Sequence, residues 1–236
     1  MHINVPETKA FAEVDAIGVA LAQYSGEQNH IAILFQGDEK VMLLHVGDHK
    51  RSLLEEPSDK YVWLDLGAEF HPIRKQVILA HIQHIAEENK NSDIRYGLDH
   101  AVYCLDPETG RLNDKYDSSI GFTCATFVVE VFLSCGIQLI DWDSWPEANE
   151  VHTRFQQIVF NHLLGIHSSN PEKVTIEYLK AQQSNIGKSR FLPQEIAAST
   201  QSLAPSKKED IDISAASIHS QLTDYTKQYY QARRSA

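Results

Sequence analysis

Two short runs of β-forming residues, at positions 30–35 and 41–46, constrain the fold of this chain more than any other feature. Only residues 36–40, Gln-Gly-Asp-Glu-Lys, separate them. A link this short joins antiparallel strands as a hairpin, because parallel strands need a crossover of about a dozen residues or more. Residues 61–66 read as a further strand, and residues 16–23 as a strand or, alternatively, a helix. The sequence therefore predicts an antiparallel β-meander.

The pattern changes to helical spacing after His71 and Pro72, and we expect this helix to cover one face of the sheet. Residues 121–136 predict a second, strongly apolar helix that ends on a glycine. Further helices are expected from Ser144 and from Pro171, so the predicted fold class is α+β, with extra C-terminal helices. The predicted apolar positions are Ile73, Val77, Ile78, His81, Ile82 and Ile85 in the first helix, and Val151, Phe155, Ile158, Val159 and Leu163 in the one after Ser144.

The chain of 236 residues is long enough for one domain and a tail. We place the domain at residues 1–200, with a helical extension from about residue 144. Residues 201–236 are predicted as a linker followed by a terminal helix. That helix carries an apolar stripe, so we expect it to pack back on the domain, and docking to a partner is the alternative. The stripe consists of Ile218, Leu222, Tyr225, Tyr229 and Tyr230.

Charge and composition exclude several classes of function. The formal net charge is −11, and no stripe of Lys and Arg offers the phosphate contacts that nucleic-acid binding requires. No window reaches the roughly 18 apolar residues of a membrane span. The first eight residues lack the basic segment and apolar run of a signal peptide, so we expect synthesis in the cytoplasm without a classical export signal. Three cysteines without Cys-x-x-Cys spacing indicate free thiols rather than a disulfide framework or a zinc site.

Cys124 is the one cysteine whose position suggests chemistry. A free cysteine is by default a small buried hydrophobe, and Cys104 and Cys135 keep that interpretation. If the helix starts near Phe122, the Cys124 sulfur lies among the unsatisfied N–H groups of the first turn, where a thiolate is stabilised and an oxyanion can be bound. The following apolar residues would anchor the helix in the core. Cys124 is therefore a candidate nucleophile.

A thiol nucleophile needs an imidazole that accepts its proton and later delivers it to the leaving group. His30 begins the first strand of the hairpin, where its side chain can reach the sheet edge. His45 lies on the paired strand and can orient the His30 ring as the third member of a triad does; a half-buried strand histidine without such a role is the alternative. The pairs His81 with His84 and His162 with His167 are read as solvated helix faces rather than metal ligands. We expect no metal and no cofactor.

These residues resemble a family, the circularly permuted papain-like hydrolases of the NlpC superfamily, in which a histidine strand precedes a cysteine helix. Residues 30–38, His-Ile-Ala-Ile-Leu-Phe-Gln-Gly-Asp, are similar to its His-x-x-Ile-x-x-x-Gly-Asp strand and turn. Residues 123–132, Thr-Cys-Ala-Thr-Phe-Val-Val-Glu-Val-Phe, are similar to its cysteine helix. The resemblance covers about residues 16–136. The family includes lecithin retinol acyltransferase-like members. It implies a papain-like fold with Cys124 as nucleophile, His30 as base and acid, and His45 as the residue that orients His30.

The resemblance also implies a substrate class. Members of the family act on peptide bonds in peptidoglycan, on isopeptide bonds of proteins or on acyl groups of lipids, and we expect a peptidase or amidase that cleaves peptidoglycan peptides. Without a signal peptide, such an enzyme fits an antagonistic effector that a specialised bacterial secretion machine delivers, with a delivery or immunity protein as partner. A lipid acyltransferase or thioesterase, a protein isopeptidase and a papain-like interaction module without activity are the alternatives.

Overall fold

A five-stranded antiparallel sheet forms the centre of the molecule. The computed structural model describes residues 1–25, 28–49, 51–90, 92–100 and 103–234. The sheet has the strand order β4-β3-β2-β1-β5, and every neighbouring pair is antiparallel. Its strands are β1 (Ile17–Ser25), β2 (Gln28–Gln36), β3 (Val41–Asp48), β4 (Arg51–Glu55) and β5 (Val62–Asp65).

The predicted hairpin is confirmed, and the meander is partly wrong. Strands β2 and β3 pair around the short turn, with Ile33 opposite Leu44 and Gln36 opposite Val41. Strand β4 was not predicted, because its short sequence has no clear alternation, and it pairs with β3. Strand β5 does not continue the meander; it pairs with the other side of β1. Local patterns identify strands, but this order depends on contacts between distant segments.

Six helices and one further short strand complete the described structure, which confirms the α+β class. Strand β6 (Tyr96–Asp99) lies outside the sheet and bridges to Phe122, directly before the helix of Cys124. The helices are α1 (Pro72–Asn89), α2 (Cys124–Ser134), α3 (Glu150–Ser169), α4 (Ile176–Gln183), α5 (Pro193–Ser199) and α6 (Lys208–Arg234). None of them, within the described residues, is long and apolar enough to cross a membrane.

Helix α1 forms where predicted and contacts β1 and β2, but its apolar face differs from the prediction. Ile73 and Val77 are 71% and 65% exposed, and the buried face runs instead through Ile78, Ile82 and Ile85. The sequence pattern is ambiguous here because apolar residues lie on more than one side of the helix. Helical spacing alone therefore did not tell which side meets the sheet.

The starts of the C-terminal helices differ from the prediction: α3 and α4 begin later, and α6 begins earlier. Helix α3 does not start at Ser144, which ends a 3-10 turn, but after Asn149, whose side chain accepts from the His152 N–H at 2.9 Å. Val151 and Ile158 of its predicted stripe are exposed. The helix expected from Pro171 begins at Ile176, and α5 was not predicted. The predicted linker is shorter than expected, because α6 already begins at Lys208.

Helices α1, α2, α5 and α6 pack on one face of the sheet and create the main core. In β2, Ile31, Ile33 and Phe35 point into this core together with residues of α1, α2, α5 and α6, whereas Ala32 and Leu34 belong to a second cluster on the opposite face. Alternate residues of a strand point to opposite faces, so β2 is covered on both sides. A third, smaller cluster joins α3, α4 and β6.

Helix α6 packs back on the domain, as its apolar stripe predicts. Ile218 and Leu222 are fully buried, and Ile211 and Tyr225 are nearly so, all within the main core. Tyr229 packs against that core and is partly buried, whereas Tyr230 is exposed.

A buried carboxylate on α2 binds the backbone of residues 103–105. Glu130 is 0% exposed, and its oxygens accept from the backbone N–H groups of Tyr103, Cys104 and Leu105 at 3.1, 2.5 and 3.1 Å. Tyr103 has a φ of +56°, a left-handed conformation that is costly for a residue with a side chain. Glu130 therefore ties a strained turn to the helix that carries Cys124.

Glu130→Ala is expected to lower the free energy of unfolding by about 3 kcal/mol or more, because it leaves buried N–H groups without their acceptor. Urea denaturation measures this loss. The control is Glu87→Ala, which removes an exposed carboxylate of α1 whose ion pair with Lys90 should contribute less than about 1 kcal/mol. A loss below about 1 kcal/mol for Glu130→Ala would contradict the structural role given to this residue.

Candidate active site

Cys124 is the first residue of α2. The hydroxyl of Thr123 accepts from the Thr126 N–H at 3.1 Å, and the Thr126 hydroxyl accepts from the Thr123 N–H at 2.9 Å, so the two side chains cap the helix reciprocally. The helix thus begins two residues later than predicted. Cys124 still lies in the first turn, where the backbone N–H groups have no partners in the helix. Phe127, Val128, Val131 and Phe132 anchor α2 in the core, each at most 1% exposed.

The chain before Cys124 is fixed by a close approach that only glycine allows. A Cβ atom on Gly121 would lie 1.9 Å from the Tyr178 hydroxyl. The Gly121 N–H donates to Asp99 Oδ2 at 2.9 Å, and the Phe122 N–H donates to the Arg95 carbonyl at 2.8 Å. Strand β6, the residue before it and helix α4 therefore fix the chain directly before Cys124.

His30, His45 and Glu55 form a polar chain across three neighbouring strands. His30 Nε2 lies 2.8 Å from His45 Nδ1, a hydrogen bond between two nearly buried rings. His45 Nε2 lies 3.3 Å from Glu55 Oε1. When His45 carries its proton on Nε2, towards this carboxylate, His45 Nδ1 accepts from the His30 Nε2–H. In that arrangement His30 Nδ1 is left as an acceptor.

His30 and Cys124 both line one cavity of about 250 Å³ near the start of β2. His30 lies on the same face of β2 as Ala32, which belongs to the cluster opposite the main core, whereas Cys124 belongs to the main core. The backbone N–H of Ile31, the residue after His30, lowers the pKa of Cys124, so this part of β2 lies close to the sulfur. The structure thus brings together the cysteine and the histidine that the sequence singled out, and it places His45 behind His30. Their catalytic roles remain predictions.

Burial dominates the electrostatics of Cys124. It raises the pKa of the thiol, because a thiolate loses solvation in a cleft, while N–H groups of Ile31 and Ala125 and the charge of Arg190 act in the opposite direction. Position at a helix start is therefore insufficient to ionise this cysteine. The N–H groups act on Cys124 in the direction that the sequence predicts, but burial outweighs them and favours the thiol in the resting site.

Burial lowers the pKa of His30, whereas it raises the pKa of Cys124. Loss of solvation, followed by repulsion from His45 and Lys60, lowers the pKa of His30 from 6.5 to about 3. A neutral thiol therefore lies in the same cavity as a neutral imidazole at neutral pH. In such a pair the imidazole can act as a general base during attack on a substrate, rather than as half of a preformed ion pair.

The lowered pKa of His30 predicts acid sensitivity of the fold. Below pH 6.5 the unfolded chain binds a proton at His30 that the folded chain does not bind until about pH 3. Stability is therefore lost as the pH falls through this window, by about 1.4 kcal/mol per unit. Between pH 7.5 and 5, urea denaturation should show that wild type loses about 2 kcal/mol more than His30→Gln. The same substitution at His2, an exposed residue of the N-terminal segment, should preserve the wild-type loss.

Two residues near the site were missed from the sequence. Glu55 was missed because β4 was not recognised, and pairing of β4 with β3 is what brings it to His45. Arg190 lines the cavity from the segment before α5, a region without any motif. No local pattern marks either residue, although a charged residue next to the strand-like Leu53 and Leu54 was a usable signal for Glu55.

Three of the four histidines that the sequence assigns to solvated helix faces have polar partners in the structure. His81 Nε2 lies 3.0 Å from the Ser134 hydroxyl, and His162 Nε2 lies 3.0 Å from Asp48 Oδ1. His167 Nδ1 lies 2.7 Å from the Val174 carbonyl. Within the part of the chain that the structure describes, no three His, Cys, Asp or Glu side chains are grouped to hold a metal ion.

No family model matches the sequence, and neither the curated proteins nor the solved structures include a significant match to this chain. Support for a function therefore comes from the residues and geometry of the chain itself.

Proposed function

We propose that the chain is a papain-like cysteine hydrolase of the permuted NlpC type that cleaves an amide bond. The observation that carries this proposal is the convergence of Cys124 and His30 on one cavity, with His30 hydrogen-bonded to His45 at 2.8 Å. A thiol at a helix start, an imidazole and a group that orients the imidazole are the parts that acyl transfer requires. The resemblance in sequence involves the same three residues.

The reaction begins when the Cys124 sulfur attacks the substrate carbonyl and its proton passes to His30 Nδ1. The carbonyl oxygen becomes an oxyanion, which N–H groups at the start of α2 stabilise. His30 then gives the proton to the leaving amine as the C–N bond breaks, and an acyl-enzyme remains. Water attacks the thioester with His30 as base, and the proton returns to the sulfur when the acid leaves.

The shape of the cavity supports a peptide rather than a lipid substrate. Its volume of about 250 Å³ is below the roughly 300 Å³ or more of ordinary ligand pockets, and its lining includes Gln28, Asn29 and Arg190. Such a cavity accommodates a short polar group at the reacting centre. A larger cavity of about 650 Å³, between the N-terminal segment and α6, contains none of these residues.

Peptidoglycan is the first substrate to test, because the resembled family acts on its peptides. Purified sacculi of several cross-link types, incubated with the protein, should release fragments in which mass spectrometry finds one new amine and one new carboxyl group. Cys124→Ala should release none. The absence of products with wild type on every type would overturn peptidoglycan as the substrate, and release by Cys124→Ala would overturn the mechanism.

His45 is proposed to position His30 rather than to react, and a series of substitutions tests this role. His45→Asn and His45→Gln retain an oxygen that can accept from the His30 Nε2–H, so they should keep roughly ten times the activity of His45→Ala. Initial rates on the cleaved sacculus type measure the difference. Equal, full activity in all three variants would return His45 to the interpretation of an ordinary strand histidine.

A further inference from the structure

Arg190 is a cation in the candidate active site, and no carboxylate among the described residues forms an ion pair with it. It is partly buried and lines the same cavity as Cys124 and His30. With the residues that the structure describes it forms no ion pair and no hydrogen bond; its close contact is with an aromatic ring. Burial lowers the pKa of Arg190, which records the cost of keeping an unpaired charge in this place.

The geometry of Arg190 leaves its hydrogen-bond donors available. The guanidinium carbon lies 3.6 Å from the centroid of the Phe155 ring. Stacking of this kind uses the flat face of the guanidinium, whereas its five N–H donors point outward in the plane of the group. Phe155 therefore holds Arg190 in place and leaves the paired donors that bind a carboxylate.

Glu195, the carboxylate closest to Arg190 in sequence, already has other partners. It accepts from the Trp145 indole N–H at 3.2 Å and from the Leu192 N–H at 2.8 Å, and it lies 3.3 Å from Lys208 Nζ. Its charge raises the pKa of Arg190 without forming an ion pair with it. Asp and Glu are also absent from the described residues that line the cavity. In a chain of net charge −11, this cleft is thus locally positive.

We infer that Arg190 binds a carboxylate of the substrate next to the bond that Cys124 attacks, so that the enzyme selects peptides with an acidic group at that point. The inference rests on the proposed function, because it takes Cys124 as the reacting atom. Arg190 is then a specificity-determining residue. Its substitution weakens the binding of acidic substrates and leaves the binding of neutral substrates nearly unaffected.

Two alkylating reagents of nearly equal size test this inference without a known substrate. Iodoacetate carries a carboxylate, and iodoacetamide carries a neutral amide in its place. Peptide mass spectrometry at one pH gives the rate constant for modification of Cys124 by each reagent. The rate constant for iodoacetate divided by that for iodoacetamide does not depend on the thiolate fraction, which cancels. When this ratio is divided by the same ratio for glutathione, the result should be about 10 or more in wild type and close to one in Arg190→Met.

Controls separate the possible outcomes. Arg154→Met removes an exposed arginine of α3 and should retain the wild-type ratio; Arg190→Gln serves as a second neutral variant if Arg190→Met does not fold. A wild-type ratio equal to that of glutathione, or a high ratio that survives in the Arg190 variants, would overturn the inference and leave the proposed function intact. Modification of Cys135 but not of Cys124 by both reagents would instead contradict the proposed nucleophile.

Discussion

Under the proposed function, Cys124→Ala is expected to lower peptidoglycan cleavage at least about 1,000-fold, because it removes the atom that attacks the carbonyl in that mechanism. The fold should remain intact, since the sulfur faces a cavity and the caps of α2 belong to Thr123 and Thr126. Released fragments measure the activity, and the melting temperature measures the fold. A Cys124→Ala protein that is unfolded, or that is active, would refute the assignment.

The same experiment should show that Cys124 and His30 act as one unit. His30→Ala should be nearly as inactive as Cys124→Ala, and the double variant should be no worse than either single one, because neither residue can act without the other. Cys135→Ala is the matched control, as it removes a thiol at the far end of the same helix and should retain activity. Loss of activity in Cys135→Ala would transfer the role of nucleophile to that residue.

Removal of α6 is expected to prevent folding. A chain truncated after Leu203 exposes the sites that Ile211, Ile218, Leu222 and Tyr225 fill, which together contribute roughly 6–12 kcal/mol. This is comparable to the whole stability of a typical domain, about 5–15 kcal/mol. The truncated protein should show no cooperative thermal transition and should aggregate. A melting temperature equal to that of the intact chain would contradict the packing of α6.

Two isoleucines of α6 provide a matched test of the same contact. Ile218 is fully buried in the core, and Ile213 is 87% exposed on the other face. Ile218→Ala should lower the free energy of unfolding by about 2–5 kcal/mol, while Ile213→Ala should change it by less than about 0.5 kcal/mol. Urea denaturation distinguishes them. Equal effects would mean that helix propensity, rather than packing, determines the contribution of α6.

Features with local causes were predicted from the sequence. The hairpin follows from a short turn between two β-forming runs, and α1 follows from Pro72 and the helical spacing after it. His30 and His45 were placed side by side because paired strands bring residues of matching parity together. In each case neighbours in sequence determine the structure, so a pattern of a few residues is sufficient.

Features that depend on distant segments were not predicted. The pairing of β5 with β1 and the burial of one side of α1 depend on which surfaces remain available after the other elements pack. The same holds around the site. The Asn29 side chain, next to His30, donates to Gln194 at 2.9 Å and lies 3.0 Å from His219 Nδ1, so α5 and α6 support the start of β2. No pattern near residue 30 indicates partners so late in the chain.

The protonated resting state of Cys124 has a consequence for oxidative damage. A thiolate attacks peroxides and disulfides far faster than a thiol does, so a cysteine whose pKa is raised by burial reacts with them slowly. Cys124 of the free protein is therefore expected to form a sulfenic acid or a mixed disulfide slowly. In the proposed reaction His30 removes the proton once a substrate is bound, so the same buried position slows oxidation of the free protein and still allows attack on the substrate.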